Sequence, residues 1–126
     1  MQDNIKRIAI IGSRNYPRLD LVRQFVGHLN PLQHIVISGG AIGVDKVAEE
    51  SAIKIGIPTK IYKAQWTTYG KIAGAIRNRQ IVNGADEIYA FWDGISKGTL
   101  ISINIAKELK KELYIFDKDG VISHEQ

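Results

Sequence analysis

The chain of 126 residues contains no cysteine. Disulfides and thiolate chemistry are thereby excluded, and a reducing cytoplasm is the expected compartment. No apolar run approaches the roughly 20 residues that a membrane-crossing helix requires. The opening Met1-Gln2-Asp3-Asn4 lacks the apolar core of a signal peptide. Long basic runs are missing too. Lys plus Arg number 17 against 13 for Asp plus Glu, a net charge of +4, which is compatible with nucleic acid without pointing to it. The densest charged cluster, Lys107-Glu108-Leu109-Lys110-Lys111-Glu112, falls where a helix is predicted to end. Cations there favour the helix dipole, so a solvated terminus accounts for it. His28, His34 and His124 are scattered, no pair has metal-ligand spacing, and no metal is expected. A GxxxxGK[ST] phosphate loop is absent, as is a full GxGxxG with a downstream ribose acid. The usual nucleotide-hydrolase and nicotinamide-dehydrogenase readings lose support, and no cofactor is expected.

What the sequence does contain is ordinary in bulk and ordered in pattern. Hydrophobic content of 44% and charged content of 24% suit one globular domain over 1–126, long enough to bury a core. Hydrophobic periodicity predicts strands at Lys6–Ile11, His34–Ser38, Pro58–Tyr62, Glu87–Phe91 and Glu112–Phe116. Helices are predicted from Pro17 to about Asn30, over Gly43–Ile55, Ala73–Val82 and Thr99–Lys110. Ala64–Ile72 reads as a longer loop, and the residues after Lys118-Asp119-Gly120 as a frayed tail. Short β-branched runs alternating with helices call for a parallel sheet flanked by helices. Right-handed crossovers suggest a Rossmann-like three-layer α/β fold of about five strands in the order 3-2-1-4-5.

In that arrangement several glycine-bearing turns share the carboxyl edge of the sheet, where ligands of α/β proteins bind. Gly12-Ser13-Arg14 follows the first strand; a serine hydroxyl and an arginine fork suit phosphate, although an ordinary tight turn has the same composition. Ser38-Gly39-Gly40-Ala41-Ile42-Gly43-Val44-Asp45 follows the second, and adjacent glycines there can form a nest of N–H groups for an anion. Asp45 in the first helical turn has two level readings, acceptor of ribose hydroxyls or plain dipole stabiliser. Glu49 lies one turn on along the same face. Trp66, Tyr69 and Lys71 occupy the odd loop. Aromatics above a nucleotide pocket stack on bases, while Trp66 is as readily a plug for the sheet end. Arg77 and Asn78 follow on the next helix, with Ala73 and Gly74 leaving room one turn earlier. The turn Asp93-Gly94-Ile95-Ser96-Lys97-Gly98-Thr99 is the other glycine-rich entry to a helix; Ser96 and Thr99 also suit helix capping.

Taken together, Gly12-Ser13-Arg14, Ser38-Gly39-Gly40-Ala41-x-Gly43-x-Asp45, Ala48-Glu49, Trp66, Tyr69-Gly70-Lys71, Ala73-Gly74, Arg77-Asn78, Ala85-Asp86 and Phe91-Trp92-Asp93-Gly94-x-Ser96-x-Gly98-Thr99 resemble the SLOG superfamily of Rossmann-like nucleotide-ligand proteins, in its YspA-type branch. The resemblance implies a nucleotide or nucleotide-derived small molecule at the carboxyl edge of the sheet, bound by a sensor or hydrolysed at an N-glycosidic or phosphoribosyl bond. Phosphate would then rest on Gly12, Ser13, Arg14, Gly39, Gly40, Ser96, Gly98 and Thr99, with Ser38, Gly43 and Gly94 as further ligand contacts. Asp45 and Asp93 would be the catalytic carboxylates, and Glu49, Trp66, Tyr69, Lys71, Arg77 and Asn78 would complete the site. The related lonely-guy phosphoribohydrolases carry a PGGxGTxxE turn, but the position of their glutamate is Ser102 here, which counts against that hydrolysis. The DNA-processing A-like proteins share the GSR and SGxAxGxD turns, so a single-stranded DNA-binding module is the alternative. Family resemblance also implies a homodimer.

Overall fold

The β-branched runs become strands and the stretches between them helices. Residues 4–125 are described by a computed structural model. Met1, Gln2 and Asp3, read above for a signal peptide, lie outside the described residues, as does Gln126. The elements run β1 (Lys6–Gly12), α1 (Leu19–Gly27), β2 (His34–Ser38), α2 (Val44–Lys54), β3 (Thr59–Ile61), α3 (Trp66–Tyr69), a 3-10 turn (Gly70–Ile72), α4 (Ala73–Gly84), β4 (Glu87–Phe91), α5 (Lys97–Glu108), β5 (Glu112–Phe116) and β6 (Ile122–Glu125). The strand order is β3-β2-β1-β4-β5-β6. The first five strands pair in parallel, with Ile8 level with Val36 on one side and Glu87 on the other. The expected order 3-2-1-4-5 therefore holds, and the reversal lies between β1 and β4.

Two expectations are corrected. The predicted loop 64–72 is mostly helical, as α3 and the 3-10 turn; segments this short carry too little periodicity to read from sequence. The predicted frayed tail is β6, antiparallel to β5. Its turn is closed by the Asp117 carboxylate, which accepts the N–H groups of Asp119 and Val121 at 2.9 Å each. The His124 ring stacks on Tyr114 with centroids 4.4 Å apart, and Tyr114 stacks on Tyr89 at 4.8 Å. Cross-strand ring contacts of this kind hold a four-residue strand that its main chain alone would not.

Side chains alternate through the sheet and give two cores. Ile8, Ile10, Val36, Phe91 and Phe116 meet Val22 and Val26 of α1 and Val44 and Ala48 of α2. Ala9, Ile11, Ile37, Ile88 and Leu113 meet Ile81 and Val82 of α4 and Ile103 and Ala106 of α5. Both crossovers before β3 thus lie on one face, and those into β4 and β5 on the other. Among the described residues no helix is long and apolar enough to cross a membrane.

Phe91 is the largest fully buried side chain. It stacks on Phe116 at 4.2 Å and meets the edge of Tyr16 at 5.6 Å. Its position at the carboxyl end of β4 ties the first core to the mouth of the turns. Phe91→Ala is expected to lower the unfolding free energy by about 3–5 kcal/mol, measured by urea denaturation; a loss below about 1 kcal/mol would show that this end of the core does not need it.

Candidate functional site

The turn after β1 is built by close packing. A methyl group on Gly12 would lie 2.6 Å from both the Phe91 carbonyl oxygen and a Val44 methyl, so only glycine lets β4 and α2 close on the strand end. The Ser13 N–H then donates to the Phe91 carbonyl at 3.1 Å. Gly43, the residue before α2, has φ +84°, and a methyl there would lie 2.5 Å from the Arg14 carbonyl oxygen. The start of α2 is thereby held against the backbone of the first turn. Both glycines, proposed from sequence as ligand contacts, are explained by this packing, while Arg14 stays exposed at the rim.

Beneath the second turn lie two buried acids. Glu49 accepts the Ser38 hydroxyl at 2.9 Å, and that serine also bonds the Asp45 carbonyl at 3.4 Å. The Asp45 carboxylate accepts the N–H of Ala41 at 3.3 Å. From α4, Arg77 Nη1 donates to the Gly39 carbonyl at 2.6 Å, and its Nε donates to the Asn78 side-chain oxygen at 2.9 Å. A methyl on Gly39 would meet Arg77 Nη1 at 2.7 Å and Asp45 Oδ2 at 2.9 Å, so guanidinium and carboxylate flank the same glycine. Burial pushes the Asp45 carboxyl up from 3.8 to about 7; nearby Glu49 adds to this, and the Ala41 amide and Arg77 oppose it.

Above this floor opens a cleft of about 350 Å³ lined by Arg14, Gly39, Gly40, Ala41, Lys63, Ala64, Trp66 and Arg77. Its cations come from three separate segments. None of Arg14, Lys63 and Arg77 forms an ion pair among the described residues. Trp66 is 57% exposed, and its ring edge would touch a methyl on Gly74 at 3.4 Å. The indole therefore leans on α4 while leaving surface open. Lys63 was missed from sequence. Its signal was positional, since it directly follows the predicted strand Pro58–Tyr62 and so reaches the same edge.

The turn after β4 sits beside this cleft but not in its lining. Its polar groups satisfy one another. The Asp93 carboxylate accepts the N–H groups of Ile95 and Ser96 at 2.9 Å, and these bonds, Ser96 first, hold its carboxyl below the usual range. Ser13 Oγ accepts the Asp93 N–H at 3.2 Å and lies 3.5 Å from the Thr99 hydroxyl. Ser96 caps α5 by accepting the Thr99 N–H at 3.4 Å. Gly94 and Gly98 remain open, and Asn78 Nδ2 reaches the Gly98 carbonyl at 3.5 Å. Tyr69 and Lys71 are exposed beyond the cleft lining. Ser102, at the lonely-guy glutamate position, is buried in α5.

The family described as DNA recombination-mediator protein A matches residues 1–64, which include the first two turns. The Gene 61 protein of Mycobacterium phage D29 is 33% identical over 104 residues, 75% of this chain and 83% of that protein. Among solved structures, DNA processing protein A from Helicobacter pylori, described for its single-stranded DNA binding mode, superposes with TM-score 0.67 and 21% identity over 90% of this chain and 66% of its own. DNA processing protein A from Streptococcus pneumoniae superposes with TM-score 0.77 and 19% identity over 88% of this chain and 50% of its own. At these identities the likeness is one of fold, and this chain spans between half and two thirds of those proteins.

Two expected outcomes follow from the buried floor. The folded state holds the Asp45 proton more tightly than the unfolded chain, whose carboxyl titrates near 3.8. The stability this proton contributes is complete below that value and is lost as pH rises through about 7, by at most about 1.4 kcal/mol per pH unit. Asp45→Asn should remove the decline, so urea midpoints of variant and parent should separate in the variant's favour from acid to pH 8; parallel curves would contradict a buried titrating carboxyl. Gly43→Ala should cost at least about 1–3 kcal/mol through backbone strain alone, read from the same denaturation curves.

Proposed function

The chain belongs to the DNA recombination-mediator protein A family, and on that premise we propose that it binds single-stranded DNA at the cleft between Arg14, Gly39-Gly40-Ala41, Lys63, Trp66 and Arg77. The observation that carries this reading is the meeting at one cleft of three cationic side chains from three separate segments, none of them in an ion pair among the described residues. Phosphates of a single strand would track Arg14, Lys63 and Arg77, with main-chain amides of the second turn adding uncharged donors. The half-exposed indole of Trp66 supplies a face on which a base can stack, whatever its identity. A DNA duplex keeps its bases paired and stacked, so it would offer the cations its phosphates but nothing for the indole. Partner preference for single strands therefore rests on Trp66, and affinity on the cations.

The size of the cleft favours a second reading, a nucleotide or nucleotide-derived molecule, since about 350 Å³ falls at the small end of small-ligand sites. Asp45 would be the carboxylate available for N-glycosidic chemistry there, because Asp93 is committed to its own turn. Released base from nucleoside monophosphates, lost in Asp45→Asn, would support it.

Anisotropy with a labelled oligothymidylate tests the main reading. Arg14→Ala and Lys63→Ala should each weaken binding and flatten the slope of log affinity against log salt by about 0.7. Trp66→Ala should cost about 1–3 kcal/mol of binding per stacked base. Equal affinity for a duplex of the same length, or an Arg14→Ala/Lys63→Ala double variant that binds like the parent, would defeat the proposal.

A further inference from the structure

We infer that Asp45 is a built-in anion directly beneath the ligand's place, so that binding of an anionic ligand is coupled to protonation of this carboxyl. The inference rests on the anionic-ligand reading above and adds to it a mode of regulation.

The geometry is that of a competitor. The N–H of Ala41, a residue of the cleft wall, is held by Asp45 Oδ2 at 3.3 Å. That oxygen lies against Gly39 together with Arg77 Nη1, the side chain that would otherwise offer its full charge to a phosphate. An ionised Asp45 thus occupies one donor and offsets one cation. A protonated Asp45 releases its claim on the amide and removes a negative charge from directly beneath the incoming anion.

The surrounding charges reinforce this exchange. Glu49, one turn along α2 and bonded to Ser38 at 2.9 Å, is a second negative group behind Asp45. Arg77 faces it from α4, while Arg14 from the first turn and Lys63 beyond β3 line the same cleft. Two buried acids therefore oppose three rim cations in the empty protein. Burial already places the Asp45 carboxyl near neutrality, at about 7, so an arriving phosphate need shift it only modestly to bring the proton on.

The test is calorimetric titration of the whole chain with oligothymidylate, whose phosphodiesters do not titrate between about pH 6 and pH 8. Runs at pH 7 in two buffers of different protonation enthalpy should show uptake of a fraction of a proton per site. Affinity should fall as pH rises above 7, approaching but not exceeding about tenfold per unit. Asp45→Asn should bind with a flat profile and exceed the parent at pH 8. Binding without proton uptake, or with parallel profiles in parent and variant, overturns the inference and leaves the DNA-binding reading standing. Absence of binding at every pH overturns both. The proton count on the parent chain keeps the test decisive even if the variant folds poorly.

Discussion

The site depends on one steric fit: the end of β1 is pressed so closely between β4 and the start of α2 that neither Gly12 nor Gly43 has room for a side chain. This fit makes the carboxyl edge of the sheet a place where segments distant in sequence share a few ångströms. Arg14 leaves the first turn directly over the amides of the second because its own backbone is the surface on which Gly43 rests. The packing that completes the first core and the placement of the cationic rim are therefore one event.

Charge is layered over this scaffold. Asp45 and Glu49 are buried below the second turn, and Arg14, Lys63 and Arg77 stand around its mouth. Removing a carboxylate from water is costly unless it finds donors or a proton. Glu49 finds the Ser38 hydroxyl, and Asp45 finds the Ala41 N–H at 3.3 Å. Asp45 lies against Gly39 of the cleft wall together with Arg77, and this position makes a buried carboxyl responsive to what enters above it. The same layering separates positioning from recognition: Arg77 supports the turn through the Gly39 carbonyl, while Arg14 and Lys63 form no ion pair among the described residues.

The order of strands was legible because β-branched runs and helical stretches alternate from Lys6 to Phe116, broken only by the segment 64–72. The second turn was legible as a candidate for the same reason. Lys63 escaped notice because a lone lysine after a short strand looks like any surface lysine until the strand order places it opposite Arg14. The turn after β4 has the composition of a phosphate loop, but composition does not reveal that Asp93, Ser96, Ser13 and Thr99 bond one another. The last strand escaped for a different reason, since its four residues are held by pairing with β5 and by the stacked rings of Tyr114 and His124, contacts made across the sheet rather than along the chain.

That last strand also decides how the sheet ends. A parallel sheet stopping at β5 would leave a five-residue strand of Leu, Tyr, Ile and Phe with unsatisfied main-chain groups along one margin. Instead β6 caps it, with Glu125 tied to Lys107 at 3.3 Å. The opposite margin is β3, only three residues long, with the Lys60 ammonium lying over the Tyr62 ring at 5.0 Å. Short margins bearing charge are poor templates for strand addition. Chains brought close together would thus have little margin on which to zipper edge to edge into fibrils.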